Sequence, residues 1–149
     1  MNLKHTKEKA LALIKKHGTS DPIKLAKLEG VEVRNKYHEE TKGYFIEIFG
    51  YKYIVLNQTL NEFIYRFVAG HELYHALFHS ENNKVIQFEK GISLTANHDL
   101  FQENTIYERE ANFFSYYLSE SFFKCYEQEL PLELIEYIQS NIFQILSRS

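Results

Sequence analysis

Cysteine is almost missing from this chain, with Cys125 alone among 149 residues. An internal disulfide is therefore impossible, and a closed structural zinc site, which prefers several cysteines, is disfavoured. Positive charge is scarce too. Seventeen Lys and Arg against 20 Asp and Glu give a net charge of -3, with no basic block, which argues against a protein that grips nucleic acid through its phosphates. No uncharged apolar run approaches the roughly 18 residues that a membrane span needs. The stretch from Met1 to Lys7 lacks the apolar core of a signal peptide. These absences predict a soluble, cytoplasmic protein. With two prolines, six glycines, no internal repeat and no low-complexity tract, nothing divides the chain, and residues 1–149 read as one domain.

Against these absences stands one stretch rich in chemistry: Gly70-His71-Glu72-Leu73-Tyr74-His75-Ala76-Leu77-Phe78-His79. Phe63, Ile64, Phe67, Val68, Leu73, Ala76 and Leu77 keep a helical period through it, and Thr59-Leu60-Asn61-Glu62 reads as a capping box that opens the helix. On a helix, His71 and His75 lie one turn apart on one face, about 5–6 Å apart at Cβ, which one metal ion can bridge. Glu72 sits off their line, where a carboxylate can reach a metal-activated water without being a ligand. Gly70 leaves room for another backbone to come close. Two buried histidines beside a buried glutamate are hard to justify without a cation. The HExxH pattern therefore predicts zinc-dependent, water-activated hydrolysis.

Around it the chain reads as α+β. Residues 3–17 form an amphipathic helix closed by His17-Gly18, and Asp21-Pro22 caps a short helix from Ile23 to Leu28. Val31 to Arg34, Gly43 to Phe49 and Tyr51 to Leu56 read as strands, the last two joined by a tight turn at Gly50. They make a small antiparallel sheet in front of the HExxH helix. Residues 85–105 show no clean period. Asn104 or Thr105 can cap a helix from Ile106 to Leu118. A last helix from Pro131 carries Leu134, Ile135, Ile138, Ile142, Ile145 and Leu146 as one stripe, a core or dimer face.

A catalytic zinc site takes three protein ligands and leaves one position open. Glu81 follows His75 at the metzincin distance, but Phe78 stands where that class needs glycine to turn the chain. His79 is one further turn along the helix, rotated by about 40° from His75, and would join the pair only in a bent geometry. Glu108 and Asn112 are spaced i, i+4, so if Glu108 holds a metal, Asn112 can hydrogen-bond an imidazole and fix its tautomer. Glu110 is the rival carboxylate on that helix, on a different face from Asn112, and Ala111 is small where two helices would have to approach. His79, His98 and Tyr107 are candidate donors to an oxyanion. The strand Tyr51 to Leu56, if it is an exposed edge, could take up an extended peptide as an added strand.

Several ordered pieces together resemble a known family. They are Thr19-Ser20-Asp21-Pro22, Leu28-Glu29-Gly30-Val31, Gly43 with Tyr53-Ile54-Val55-Leu56-Asn57, the stretch Phe67 to His79, and Glu108-Arg109-Glu110-Ala111-Asn112-Phe113-Phe114. In these the chain resembles the ImmA/IrrE-type metallo-endopeptidases, compact gluzincin-like proteins often encoded by phages and mobile elements. The resemblance runs from about Gly18 to Leu118. It implies a minimal zincin-like domain, one Zn2+ per chain on His71, His75 and Glu108, and Glu72 as catalyst. The implied partner is a protein substrate, a helix-turn-helix repressor whose cleavage releases transcription, with no nucleic acid and no membrane bound directly. Two departures stand out. Tyr74 occupies a position usually held by glycine, which calls for a repacked neighbour, and Tyr117-Leu118-Ser119-Glu120-Ser121 replaces the family's Leu-Leu-Met-Pro. The alternative reading is a catalytically inactive zincin-fold protein that regulates by contact, for which 11 Tyr and 12 Phe would supply apolar surface.

Overall fold

In the computed structural model, which describes residues 2–79 and 105–147 and all their side chains but those of His79 and Thr105, local capping chemistry sets the first two helices. The Asn2 side chain accepts the His5 N–H at the start of α1 (Leu3–His17), and Gly18 closes it in the left-handed conformation. The Asp21 carboxylate accepts the Ile23 N–H at 2.9 Å, with Pro22 leading α2 (Pro22–Leu28). Both follow the sequence expectation.

The sheet differs from it. Strands β2 (Gly43–Ile48) and β3 (Tyr51–Asn57) form the expected antiparallel hairpin around Phe49 and Gly50, both at positive φ as a two-residue turn requires. β1 (Glu32–Lys36), however, pairs with β3 in parallel, from Glu32 opposite Tyr53 to Lys36 opposite Asn57. The order is β1-β3-β2. The three-stranded sheet is thus mixed rather than antiparallel throughout, and β3 is its central strand, not an exposed edge. Asn57 shows why. Its Nδ2 donates to the carbonyls of His38 (2.6 Å) and Thr41 (3.2 Å), while its Oδ1 accepts from the Thr59 N–H and hydroxyl. Those bonds carry residues 37–42 across the end of β3, so that β1 and β2 flank it.

Helix α3 (Glu62–Tyr74) is capped by Asn61, whose Oδ1 accepts the Phe63 N–H at 2.8 Å. Thr59 is already engaged with Asn57, so the expected Thr59–Glu62 capping box does not form. The helix continues through a π-helical turn, His75–His79, where Lys52 Nζ donates to the Ala76 carbonyl at 2.9 Å. Every residue from Phe67 to Ala76 is buried. The sheet, α2 and α4 (Thr105–Cys125) pack against α3, and α1 covers α4.

Helices α3 and α4 approach tightly at Gly70. A Cβ there would overlap Ser115 Oγ and lie 3.0 Å from Ser115 Cβ. Helix α4 runs on to Cys125, beyond the expected end at Leu118. Ser119 accepts from Arg66 Nε at 2.9 Å, and Phe123 buries against Phe67. Helix α5 (Leu132–Ile138) leads through a π-helical turn, Gln139–Phe143, to α6 (Gln144–Ser147). Leu134, Ile138 and Ile142 of the predicted stripe enter the core. Residues 80–104, which include Glu81 and His98, lie outside the described residues. Among the described residues no helix is long and apolar enough to cross a membrane.

Candidate metal centre

The i, i+4 spacing on α3 brings the His71 and His75 rings to 4.9 Å between centroids, with their Nε2 atoms 3.3 Å apart. Helix α4, held close by the Gly70–Ser115 contact, delivers Glu108 from its first turn. Its Oε2 lies 3.1 Å from His71 Nε2 and its Oε1 lies 2.9 Å from His75 Nε2. All three side chains are buried, and one donor atom from each lies within 4.8 Å of the others. Glu110 is half-buried and turned elsewhere, near enough to Tyr74 for its charge to act there.

The chemistry of this donor set suits a divalent cation. The His71 Nδ1–H donates to Asn112 Oδ1 at 2.8 Å, so a neutral His71 carries its lone pair on Nε2. Burial pushes the Glu108 carboxyl up, but the charges and hydrogen bonds of His75 and His71 outweigh it and hold the group well below the usual carboxylate range. A neutral Nε2 and an ionised carboxylate 3.1 Å apart repel unless a proton or a cation lies between them. Two imidazoles and a carboxylate within 4.8 Å of one another form a possible metal site, with donor types that divalent transition metals accept.

Glu72 is fully buried, and neither carboxylate oxygen has a hydrogen-bond partner among the described residues. Burial, and then the negative charge of Glu108, push its carboxyl well above the ordinary value. A carboxyl group is rarely left so isolated without a task. Tyr107, half-buried, immediately precedes Glu108 on α4. The backbone of His79 belongs to the π-helical turn, its side chain falls outside the described set, and so does the whole of His98.

Residues 26–120 match the sequence profile of Peptidase_M78, the IrrE N-terminal-like domain. The chain belongs to this metallopeptidase family. A curated relative, "Uncharacterized immunity region protein 2" of Bacillus phage phi105, is 36% identical over 104 residues, covering 69% of this chain. The chain spans 60% of that relative's length. No solved structure gives a significant match.

Within this Peptidase_M78 domain, Tyr74 sits in a cluster of aromatic rings. Tyr74 is buried against Phe114 and Phe78, at 4.9 and 5.0 Å between ring centroids. Lys9 of α1 donates to its hydroxyl and lies over the Phe78 ring. Burial, with the charge of Glu110 behind it, pushes the Tyr74 phenol up to about 12.

One participant escapes the sequence reading altogether. Asn112 Nδ2 donates to the hydroxyl of Tyr137 on α5 at 3.1 Å. Nothing in the spacing of the motif points to a residue 25 positions further on. The one available signal is a tyrosine set beside the apolar Leu134–Ile138 stripe, since such a residue keeps a polar tip that needs a partner.

Proposed function

We propose that this chain is a zinc-dependent endopeptidase acting on a protein partner. One observation carries the reading: Glu72, buried without a hydrogen-bond partner among the described residues, stands on the same helix as two histidines whose Nε2 atoms converge with the Glu108 carboxylate. In this reading His71, His75 and Glu108 hold the ion. When bound, zinc supplies a Lewis acid that lowers the pKa of water and polarises a carbonyl. Glu72 takes the proton from the attacking water on its carboxylate and passes it to the amide nitrogen of the leaving segment. Asn112 keeps the proton of His71 on Nδ1, facing away from the ion. Tyr107 is the candidate oxyanion donor among the described side chains. The outer edge of β2, unpaired among the described residues on a strand that lies against the HExxH helix and its π-helical turn, takes over the peptide-holding role expected of β3.

The substrate we infer is a helix-turn-helix repressor. The support is the family resemblance together with the immunity-region label carried by the phage relative. Purified wild type should contain one zinc per chain, lost in Glu108→Ala and kept in Glu110→Ala, as measured by elemental analysis. Co-expressed with a candidate helix-turn-helix repressor, wild type should cleave it and Glu72→Gln should not. A wild type that takes up no metal even when zinc is supplied sinks the peptidase reading. Derepression that survives Glu72→Gln replaces it with regulation by contact.

A further inference from the structure

The hydrogen-bond chain that leaves the donor cluster crosses three helices: His71 on α3, Asn112 on α4, Tyr137 on α5. The geometry points to Tyr137 as a positioning residue of the metal site, its hydroxyl anchoring the Asn112 amide that holds His71 in the tautomer presenting Nε2. The inference rests on the metal-site reading above and extends it beyond the matched span of residues 26–120, into a helix that the family profile does not cover.

The argument begins with the amide. A carboxamide held at one end alone is free to turn about its last torsion, which is broad and roughly two-fold. Swung out of its present plane, Asn112 would lose its bond to His71 Nδ1 and with it the contact that keeps the imidazole proton away from Nε2, the atom that must face the ion. A second bond at the other end of the amide, Nδ2 to the Tyr137 hydroxyl, fixes the plane and places Oδ1 2.8 Å from His71 Nδ1.

The tyrosine is itself held firmly. Its ring stands edge-on to Phe67 of α3, at 5.8 Å and 77°, and Leu134 and Ile138 on either side of it are buried. The post that supports the amide is thereby packed against the helix that carries the histidines. Packing alone would be served as well by phenylalanine, so the hydroxyl's place is with Asn112.

The test is the Zn2+ affinity of the full chain by chelator competition, with the Co2+ absorption spectrum as a second readout. Removing an outer partner of a metal-bound histidine weakens binding by about 10–100-fold. Tyr137→Phe should lower affinity by about 10-fold and shift the Co2+ bands, while its metal-free melting temperature stays near that of wild type. In an Asn112→Ala background the same substitution should change affinity by less than about two-fold, because the hydroxyl acts through the amide. Asn112→Ser serves if the alanine variant does not fold. Wild-type affinity in Tyr137→Phe, or an undiminished loss in the Asn112→Ala background, overturns the inference and leaves the metal site standing. A wild type that binds neither ion overturns both.

Discussion

Gly70 is the position at which a single methyl group should be felt throughout the site. Alanine there would overlap Ser115 Oγ and lie 3.0 Å from Ser115 Cβ and 3.1 Å from its Cα. Two opposing terms decide the outcome. Replacing glycine inside a helix contributes about 1 kcal/mol of stability. Against it, inserting a carbon into a close-packed contact costs about 1–3 kcal/mol. Displacing the Ser115 hydroxyl from the Phe67 carbonyl, which it reaches at 2.6 Å, costs about 1 kcal/mol more. The balance is a loss of about 1–3 kcal/mol, and at this chain length each kcal/mol lowers Tm by roughly 2–4 °C. Thermal unfolding of the metal-free protein by circular dichroism should therefore show Gly70→Ala melting about 2–12 °C below wild type. Ser115→Ala, added to Gly70→Ala, removes the overlapping oxygen, so the double variant should lose less than the two single losses combined. Because His71 sits on α3 and Glu108 on α4, pushing the helices apart should also weaken metal binding. A Gly70→Ala protein that melts at or above wild type would refute the close approach as a constraint and leave helix propensity as the governing term.

Two further outcomes follow from buried or paired carboxylates. Glu72→Leu should abolish cleavage yet raise metal-free stability by about 1–3 kcal/mol, read from a urea midpoint, since a desolvated carboxyl with no hydrogen-bond partner among the described residues is replaced by an apolar side chain; a lower midpoint would show that the carboxyl is stably accommodated. Glu29 is held below the ordinary glutamate range by hydrogen bonds first from His17, at 2.6 Å, and then from Lys16, at 3.0 Å. A depressed carboxylate contributes stability that is complete above its unfolded pKa and disappears as pH falls through its folded value. Glu29→Gln should therefore lose stability near neutrality and differ little from wild type in strong acid. Equal losses at both extremes would count against the ion pair.

The pairing of His71 with His75 on α3 and of Glu108 with Asn112 on α4 was legible because i, i+4 spacing is local, whereas spacing alone left Glu108 and Glu110 as rivals and only the packing of α4 on α3 brings Glu108 to the histidines. The caps at Asp21 and Gly18 were readable for the same reason. What stayed hidden was decided between segments far apart in sequence. Strand alternation says nothing of strand order, so the parallel placement of β1 and the central position of β3 follow from Asn57 and the loop it gathers. The N-cap at Asn61 prevailed over Thr59 because Asn57 had already drawn the Thr59 hydroxyl away. The extension of α4 to Cys125 depends on Arg66 and Phe67 of another helix accepting Ser119 and Phe123. Tyr137 needed the packing of α5 on α3 before its hydroxyl had anything to meet.

The mixed sheet also makes the molecule uneven in how tightly its parts are closed. β1 joins β3 along one edge only, all but one of its five residues are exposed, and the end of the strand is pinned through the Asn57 network. Backbone amides there should exchange with solvent long before those of β3 or α3, because opening β1 uncovers little apolar surface. The hairpin and the two helices that bring His71, His75 and Glu108 together share no ladder with it except that edge. A fluctuation that frees β1, or a protease that nicks residues 37–42, would therefore loosen the front of the domain while the histidines and the glutamate keep their spacing.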